Sequence, residues 1–272
     1  MKERILASSP SENQIALFYT GQMGYILKYR GLFLMIDGYL TDSVDKGSTE
    51  KVKWERKYPS PLSPSSQDFV DYVFCSHNHN DHTDPETLSA LAESNKKAVV
   101  FAPSAALDTV LSAGIPRERV VPLVTDREYP LAEGLSFRAI PSAHEELHPD
   151  GNGGYDEVGF LFSFGKITLY HAGDCCPYPG LTERISGCDV CILPINGRDS
   201  YRTQVLNIIG NFTVPEAVSL AKDAGAKLLI PGHYDLYEIN GEDPARFTEC
   251  LHRENPSQAF ALLSPGEELL YP

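Results

Sequence analysis

The sequence predicts a mixed α/β chain, and three observations carry that expectation. Short apolar runs bounded by turn residues recur along its 272 residues. Two helix starts are spelled out by a capping residue followed at once, or nearly so, by proline, at Asp84-Pro85 and at Thr213-Val214-Pro215-Glu216. The residues with chemical reach, His77, His144, Asp174, Asn196 and His233, each stand directly after an apolar run. Ligands at strand ends in a layered α/β protein gather at one edge of the sheets, held by rigid elements and open to a substrate.

Taken in order, strands are expected at Ile15–Tyr19 and Tyr25–Tyr29, the latter turning at Arg30-Gly31 into Leu32–Asp37 as a hairpin. The proline-containing stretch Tyr58–Ser66 reads as a loop leading into the apolar run Phe69–Phe74. A helix capped by Asp84 follows, with Leu88, Leu91 and Ala92 on one face. A strand at Ala98–Phe101, a helix near Ala105–Ser112 and a strand at Arg119–Pro122 complete the first half. The second half repeats the theme with strands at Leu135–Ile140, Gly159–Phe164, Ile167–His171 and Asp189–Leu193. Thr213 and Glu216 have capping-box spacing and open a helix through about Ala224, stopped by Gly225, before a last strand at Lys227–Ile230. No Ser/Gly/Pro-rich linker divides the chain, which predicts one domain over residues 1–272.

A formal net charge of −14 argues against a broad phosphate-backbone surface, so no nucleic-acid partner is expected. It leaves room for a few arginines around a small anionic substrate, and for a homo-oligomer. No apolar run approaches the ~20 residues needed to span a bilayer, and Met1–Leu6 lacks the apolar core of a secretory signal. A cytoplasmic protein is therefore expected, and the six cysteines read as reduced residues. Cys188 and Cys191, three apart in an apolar strand, are expected to face opposite ways.

The segment Cys75-Ser76-His77-Asn78-His79-Asn80-Asp81-His82 carries the chemistry. Neutral imidazole and carboxylate are ligands that borderline divalent metals prefer. His77 and His79, at i and i+2, can grip one ion, and Asp81 with His82, further round the turn, is free to serve a second. A divalent ion lowers the pKa of bound water from 15.7 to about 7, which supplies hydroxide at neutral pH.

The pattern His-x-His-x-Asp-His, followed by His144, by Gly173-Asp174 and by His233, resembles the metallo-β-lactamase superfamily along nearly the whole chain. The segments Pro194–Asp199 and His233–Leu236 look like the L-ascorbate-6-phosphate lactonase branch. The resemblance implies an αββα four-layer sandwich and a metal-dependent hydrolase holding two divalent ions, zinc or manganese. By that analogy His77, His79 and His144 hold the first ion, Asp81, His82 and His233 the second, and Asp174 bridges them, with Asp81 also orienting the nucleophile or moving its proton. His171 would orient a ligand.

Substrate choice must come from elsewhere. Arg198 and Arg202 are candidates for a bidentate grip on an anionic group, against an ordinary loop pairing with Asp199. Asn196 is a candidate oxyanion donor, and Tyr234 a candidate hydroxyl donor or simply a packing residue. The leading expectation is hydrolysis of a lactone or similar ester of a small anionic sugar acid. The alternatives are a phosphodiesterase on the same fold, or a redox or metal-sensing protein using Cys175 and Cys176.

Overall fold

A computed structural model describes residues 1–272. The first half of the chain forms α1 (Lys2–Ala7), β1 (Ile15–Gly21), β2 (Gly24–Tyr29), β3 (Leu32–Ile36), β4 (Tyr72–Phe74), α2 (Pro85–Ser94), β5 (Val99–Ala102), α3 (Leu107–Ser112) and β6 (Val120–Pro122). The second half forms β7 (Glu128–Ala132), β8 (Leu135–Pro141), β9 (Val158–Phe164), β10 (Ile167–His171), α4 (Leu181–Ile185), β11 (Val190–Pro194), α5 (Val214–Ala224), β12 (Leu228–Gly232), α6 (Pro244–Glu254), β13 (Ala259–Phe260) and β14 (Glu268–Tyr271). Two seven-stranded mixed sheets result, ordered β14-β1-β2-β3-β4-β5-β6 and β13-β12-β11-β10-β9-β8-β7. In each half an antiparallel meander passes into parallel strands linked by helical crossovers.

Period-two alternation decides the layers. Leu17 and Tyr19 of β1, Leu34 and Ile36 of β3, Phe74 of β4 and Phe160, Phe162 and Phe164 of β9 point into one core between the sheets. Their neighbours Ala16, Phe18, Met35 and Val73 point outward onto Ile5 of α1, Leu88 and Leu91 of α2 and Val110 of α3. On the other sheet Tyr170, Cys191, Leu193 and Leu229 face outward onto α4, α5 and α6. Helices, sheet, sheet, helices make the four layers of an αββα sandwich.

Local signals act where they were expected. Asp84 accepts from the Glu86 N–H at 3.1 Å and opens α2 on Pro85. Thr213 and Glu216 close a reciprocal capping box on α5, and Gly225 ends it at φ 71°. The strand before the metal motif is shorter than expected, starting at Tyr72 and not at Phe69. There the Asn95 side chain donates to the Gln67 and Val70 carbonyls, which removes those groups from sheet pairing. Cys188 precedes β11, so its thiol meets that of Cys191 at 2.8 Å instead of facing away.

The elements absent from the sequence reading sit mostly at edges. β7 carries Pro130 on the rim of its sheet, where a missing N–H costs nothing. β14 returns from the C-terminus to pair with β1, a long-range pairing. α1 is pinned by buried Lys28, whose ammonium donates to the Ile5, Leu6 and Ser8 carbonyls at 3.1, 2.9 and 2.7 Å. α6 repeats the Asp-Pro start of α2, at Asp243-Pro244, a signal open to a closer reading.

Candidate metal centre

Four strand ends build the site. β4 stops at Phe74, and Ser76 is then caught by Asp37, just past β3, through its N–H at 2.8 Å and its hydroxyl at 2.7 Å. The chain turns tightly over residues 77–83, with the Thr83 hydroxyl donating to the His77 carbonyl at 2.6 Å and the Thr83 N–H to the His79 carbonyl at 2.7 Å. His144 follows β8, Asp174 follows β10 and His233 follows β12. Gly173 permits the close approach of two of these segments. A Cβ there would lie 2.7 Å from Ser76 Cβ and 2.9 Å from the Val158 carbonyl oxygen, and the residue sits at φ +60°.

The side chains converge. His77 Nε2 lies 3.0 Å from His79 Nδ1, and His144 Nε2 lies 3.3 Å from that same nitrogen. His233 Nε2 is 3.4 Å from Asp81 Oδ2, and His82 Nε2 is 3.6 Å from it. Asp174 stands between the two groups, Oδ1 being 3.3 Å from His82 Nε2, and Oδ2 3.3 Å from His233 Nε2 and 3.9 Å from His144 Nε2. Three sets with metal-ligand spacing result: His77/His79/His144, His77/His82/Asp174 and Asp81/His82/His233.

The donor set fits divalent cations. His82 Nε2 and Asp174 Oδ1 are buried with no hydrogen-bond partner, a costly arrangement for atoms aimed at one small volume unless a cation binds there. Burial pushes His77 below its ordinary pKa and His144 down to about 4, so both imidazoles are neutral and ready to donate a lone pair. Burial acts the same way on His82 and His233, yet the surrounding carboxylates outweigh it. Asp174, Asp81 and Asp37 raise His82, and Asp174 with Asp81 lifts His233 to about 9. The Asp81 and Asp174 carboxyls, although buried, are held below the usual range chiefly by His82 and His233, so both are ionised. The pocket is thus built to hold positive charge against two carboxylates.

Two supporting residues were invisible in the sequence. Asp37 Oδ2 lies 2.8 Å from His82 Nδ1, which leaves Nε2 pointing into the cluster. Gln22, in the β1–β2 turn, donates to Asp81 Oδ2 at 2.8 Å and lies 3.1 Å from His233 Nε2. Both act across sheet neighbours, so no local motif announces them. Removing the Asp37 anion with Asp37→Asn should weaken metal retention and turnover by roughly 10–100-fold while the protein stays folded. Dialysis followed by metal analysis and kcat checks this, and wild-type values would remove Asp37 from the site. His171 accepts from the Gly173 N–H at 3.2 Å and bonds the Met23 carbonyl through Nε2 at 2.8 Å, holding the turn before Asp174.

The expected substrate residues Asn196, Arg198, Arg202 and Tyr234 stand outside the ligand cluster. The Arg198 guanidinium makes a bidentate pair with Glu216 at 2.7 and 2.7 Å and donates to the Asn211 carbonyl at 2.9 Å. Arg202 pairs with Asp199 at 2.5 Å and donates to the Asn196 carbonyl at 2.7 Å. Asn196 is fully buried, bonded through its side chain to Asn240 and Asn211 at 2.9 and 3.0 Å. Tyr234 packs in the outer core beside α5 and α6. None of the four lines the cavity of about 470 Å³ that opens over the ligand cluster. Their groups are engaged by the protein's own polar atoms or its core, so they shape the loops around the site. Cys175 and Cys176 are buried too. Burial pushes the Cys175 thiol up to about 12 and also raises Cys176, so neither offers a ready thiolate, and neither belongs to a ligand set.

Comparison with known proteins agrees with this construction. A model of the beta-lactamase superfamily domain matches residues 40–234, a span that contains His77, His79, Asp81, His82, His144, Asp174 and His233. A UPF0173 metal-dependent hydrolase of Methanoculleus marisnigri is 30% identical over 73% of this chain and 81% of its own length. A probable L-ascorbate-6-phosphate lactonase, UlaG, of Escherichia fergusonii is 27% identical over 70% of this chain, and the match spans only 56% of that protein. Among solved structures, the metallo hydrolase Igni18 of Ignicoccus hospitalis superposes with a TM-score of 0.71 at 17% identity, covering 96% of this chain and 99% of that one. A possible metal-dependent hydrolase of Veillonella parvula reaches 0.72 at 16% identity, over 93% and 98%. A matched domain that encloses every converging ligand, on a fold shared from end to end, places this chain in the β-lactamase superfamily as a metal-dependent hydrolase.

Proposed function

We propose that the chain hydrolyses a lactone or similar ester with two divalent ions, zinc or manganese, at this centre. The observation that carries the proposal is the placement of Asp174, one carboxylate within reach of both sets: Oδ1 lies 3.3 Å from His82 Nε2, and Oδ2 lies 3.3 Å from His233 Nε2 and 3.9 Å from His144 Nε2. His77, His79 and His144 would hold one ion, Asp81, His82 and His233 the other, and Asp174 would touch both, its negative charge offsetting their repulsion. When bound, such a pair lowers the pKa of water and polarises a carbonyl oxygen. The protein's own share is positional. Asp81 lines the cavity as an ionised carboxylate, with Oδ2 fixed by Gln22, so it can orient an attacking water. Asp37, Ser76 and His171 keep the ligands aimed without touching the cavity themselves.

The lactone reading takes its support from the family and from the lactonase relative, and an anionic sugar acid loses the two arginines that had suggested it. A cytoplasmic location is part of the same proposal, supported by six cysteines that are all free and buried. The test is a panel of lactones, phosphodiesters and thioesters assayed with zinc- and manganese-loaded protein, alongside metal analysis. Two ions per chain and chelator-sensitive lactone or ester hydrolysis are expected. Chelator-resistant turnover would remove the metal mechanism, and a preference for phosphodiesters would move the reading to that class.

A further inference from the structure

The cavity wall names a substrate class that the metal centre alone does not. Apart from the ligand residues themselves, nothing charged lines the cavity, and it holds no lysine or arginine. Its wall carries four asparagines and five apolar side chains, Val44, Trp54, Ile208, Ile209 and Tyr237. Trp54 stands edge-on to Tyr237 with ring centres 5.2 Å apart, and Val44 packs on the same small cluster. The other apolar wall comes from the segment after β11. A π-helical turn at Tyr201–Leu206 runs through Asn207 at φ 57° into Ile208 and Ile209. Of the six large apolar side chains left exposed in the chain, three stand on this segment: Tyr201, Val205 and Ile209.

That segment is held in place. Its neck is closed by the Asn211 N–H to the Gly197 carbonyl at 3.2 Å and by the Gly197 N–H to the Phe212 carbonyl at 3.0 Å. Arg198 bolts the neck to Glu216 of α5. A Cβ on Gly210 would come within 2.4 Å of Arg198 Cβ, so the two sides of the neck are packed against each other. Arg198 therefore positions an apolar wall beside the ligand cluster. Exposed apolar surface continuous with a reactive centre marks a binding surface, and burying a methylene contributes about 0.8 kcal/mol.

We infer that the substrate is an uncharged ester or lactone carrying an alkyl or aryl group, which lodges against Trp54, Val44, Ile208 and Ile209. Any anionic group remote from the scissile bond would find no cation in the wall, inside a chain of formal net charge −14. This rests on the hydrolase reading above, and two measurements keep the two claims separable. In the first, the metal-loaded enzyme is assayed with γ-lactones of increasing alkyl length and with a phosphorylated sugar lactone. kcat/KM should rise by up to roughly fourfold per methylene buried, and Ile209→Ser or Trp54→Ala should flatten that rise. In the second, the chain's single tryptophan reports binding without turnover. 2-Heptylcyclopentanone, which holds no bond to hydrolyse, should change Trp54 fluorescence at far lower concentration than cyclopentanone, whereas 6-phosphogluconate should not. Tighter binding or faster turnover of the phosphorylated compounds, or no dependence on chain length, would overturn the inference. A fluorescence response to the ketone without turnover of any lactone or ester would keep the apolar subsite and sink the hydrolytic reading instead.

Discussion

With the proposed two-ion centre, Asp174→Ala should bring bound metal down to one ion per chain or fewer and lower kcat/KM by more than the roughly 10–100-fold typical of residues behind the ligands. The reason is geometric. Asp174 is the carboxylate within reach of both imidazole groups, at 3.3 Å from His82 and His233 and 3.9 Å from His144. No neighbouring carboxylate can take its place, because Asp81 lies beside His82 and His233 only, and Asp37 is committed to Ser76 and His82 Nδ1. Asp174→Asn keeps the volume and one carbonyl oxygen, and should lose less metal than the alanine variant. Metal content after desalting, read beside turnover, tests the assignment. Two ions and wild-type rates in Asp174→Ala would remove the bridging role and the ligand scheme with it.

Phe74→Ala should cost about 3–5 kcal/mol of folding stability, the range for deleting a buried phenyl ring. At the usual slope for a chain of this size, that lowers Tm by roughly 10 °C. Phe74 is fully buried at the centre of the inter-sheet layer. It stacks on Phe101 at 5.1 Å and meets Phe137, Phe160 and Phe162 edge-on at 4.9, 5.4 and 5.0 Å. Its ring thus joins strands of both sheets, and its backbone carbonyl accepts from the Asp37 N–H at 2.9 Å just ahead of the metal loop. Phe74→Leu refills most of the volume and should recover a large part of the loss. Denaturant and thermal unfolding of both variants measure it. An unchanged Tm in Phe74→Ala would mean the sheets are held chiefly by other contacts.

These two positions also divide what was legible in the chain from what was not. Phe74 and the Cys75–His82 segment could be read directly, because an apolar run ending in closely spaced imidazoles is a local pattern. The same holds for the Arg30-Gly31 hairpin, for the Asp84 cap and for the Thr213–Glu216 box, each of which the fold contains. The αββα layering needed the family resemblance, since periodicity shows which face of a strand is apolar but not what covers it. Asp37 and Gln22 were out of reach. Each is distant in sequence from the residue it serves, and only the register of β1–β4 brings them together.

Arg198 marks the boundary most clearly. Its residue type and position beside an expected ligand strand suggested anion recognition, yet Glu216, the same residue that closes the α5 capping box, takes two of the guanidinium's three hydrogen bonds and the Asn211 carbonyl the third. Residue type and short-range spacing showed that the Cys75–His82 segment is rich in cation-binding groups and where most strands and helices begin, because those are properties of neighbouring residues, whereas His144, Asp174 and His233 joined that segment only through the family resemblance. Only the tertiary structure decided which charges are already paired and which surfaces face the site. Hydrogen-bond partners and cavity walls are chosen by packing between segments that the chain keeps far apart, as Trp54 and Ile209 are before they share one cavity.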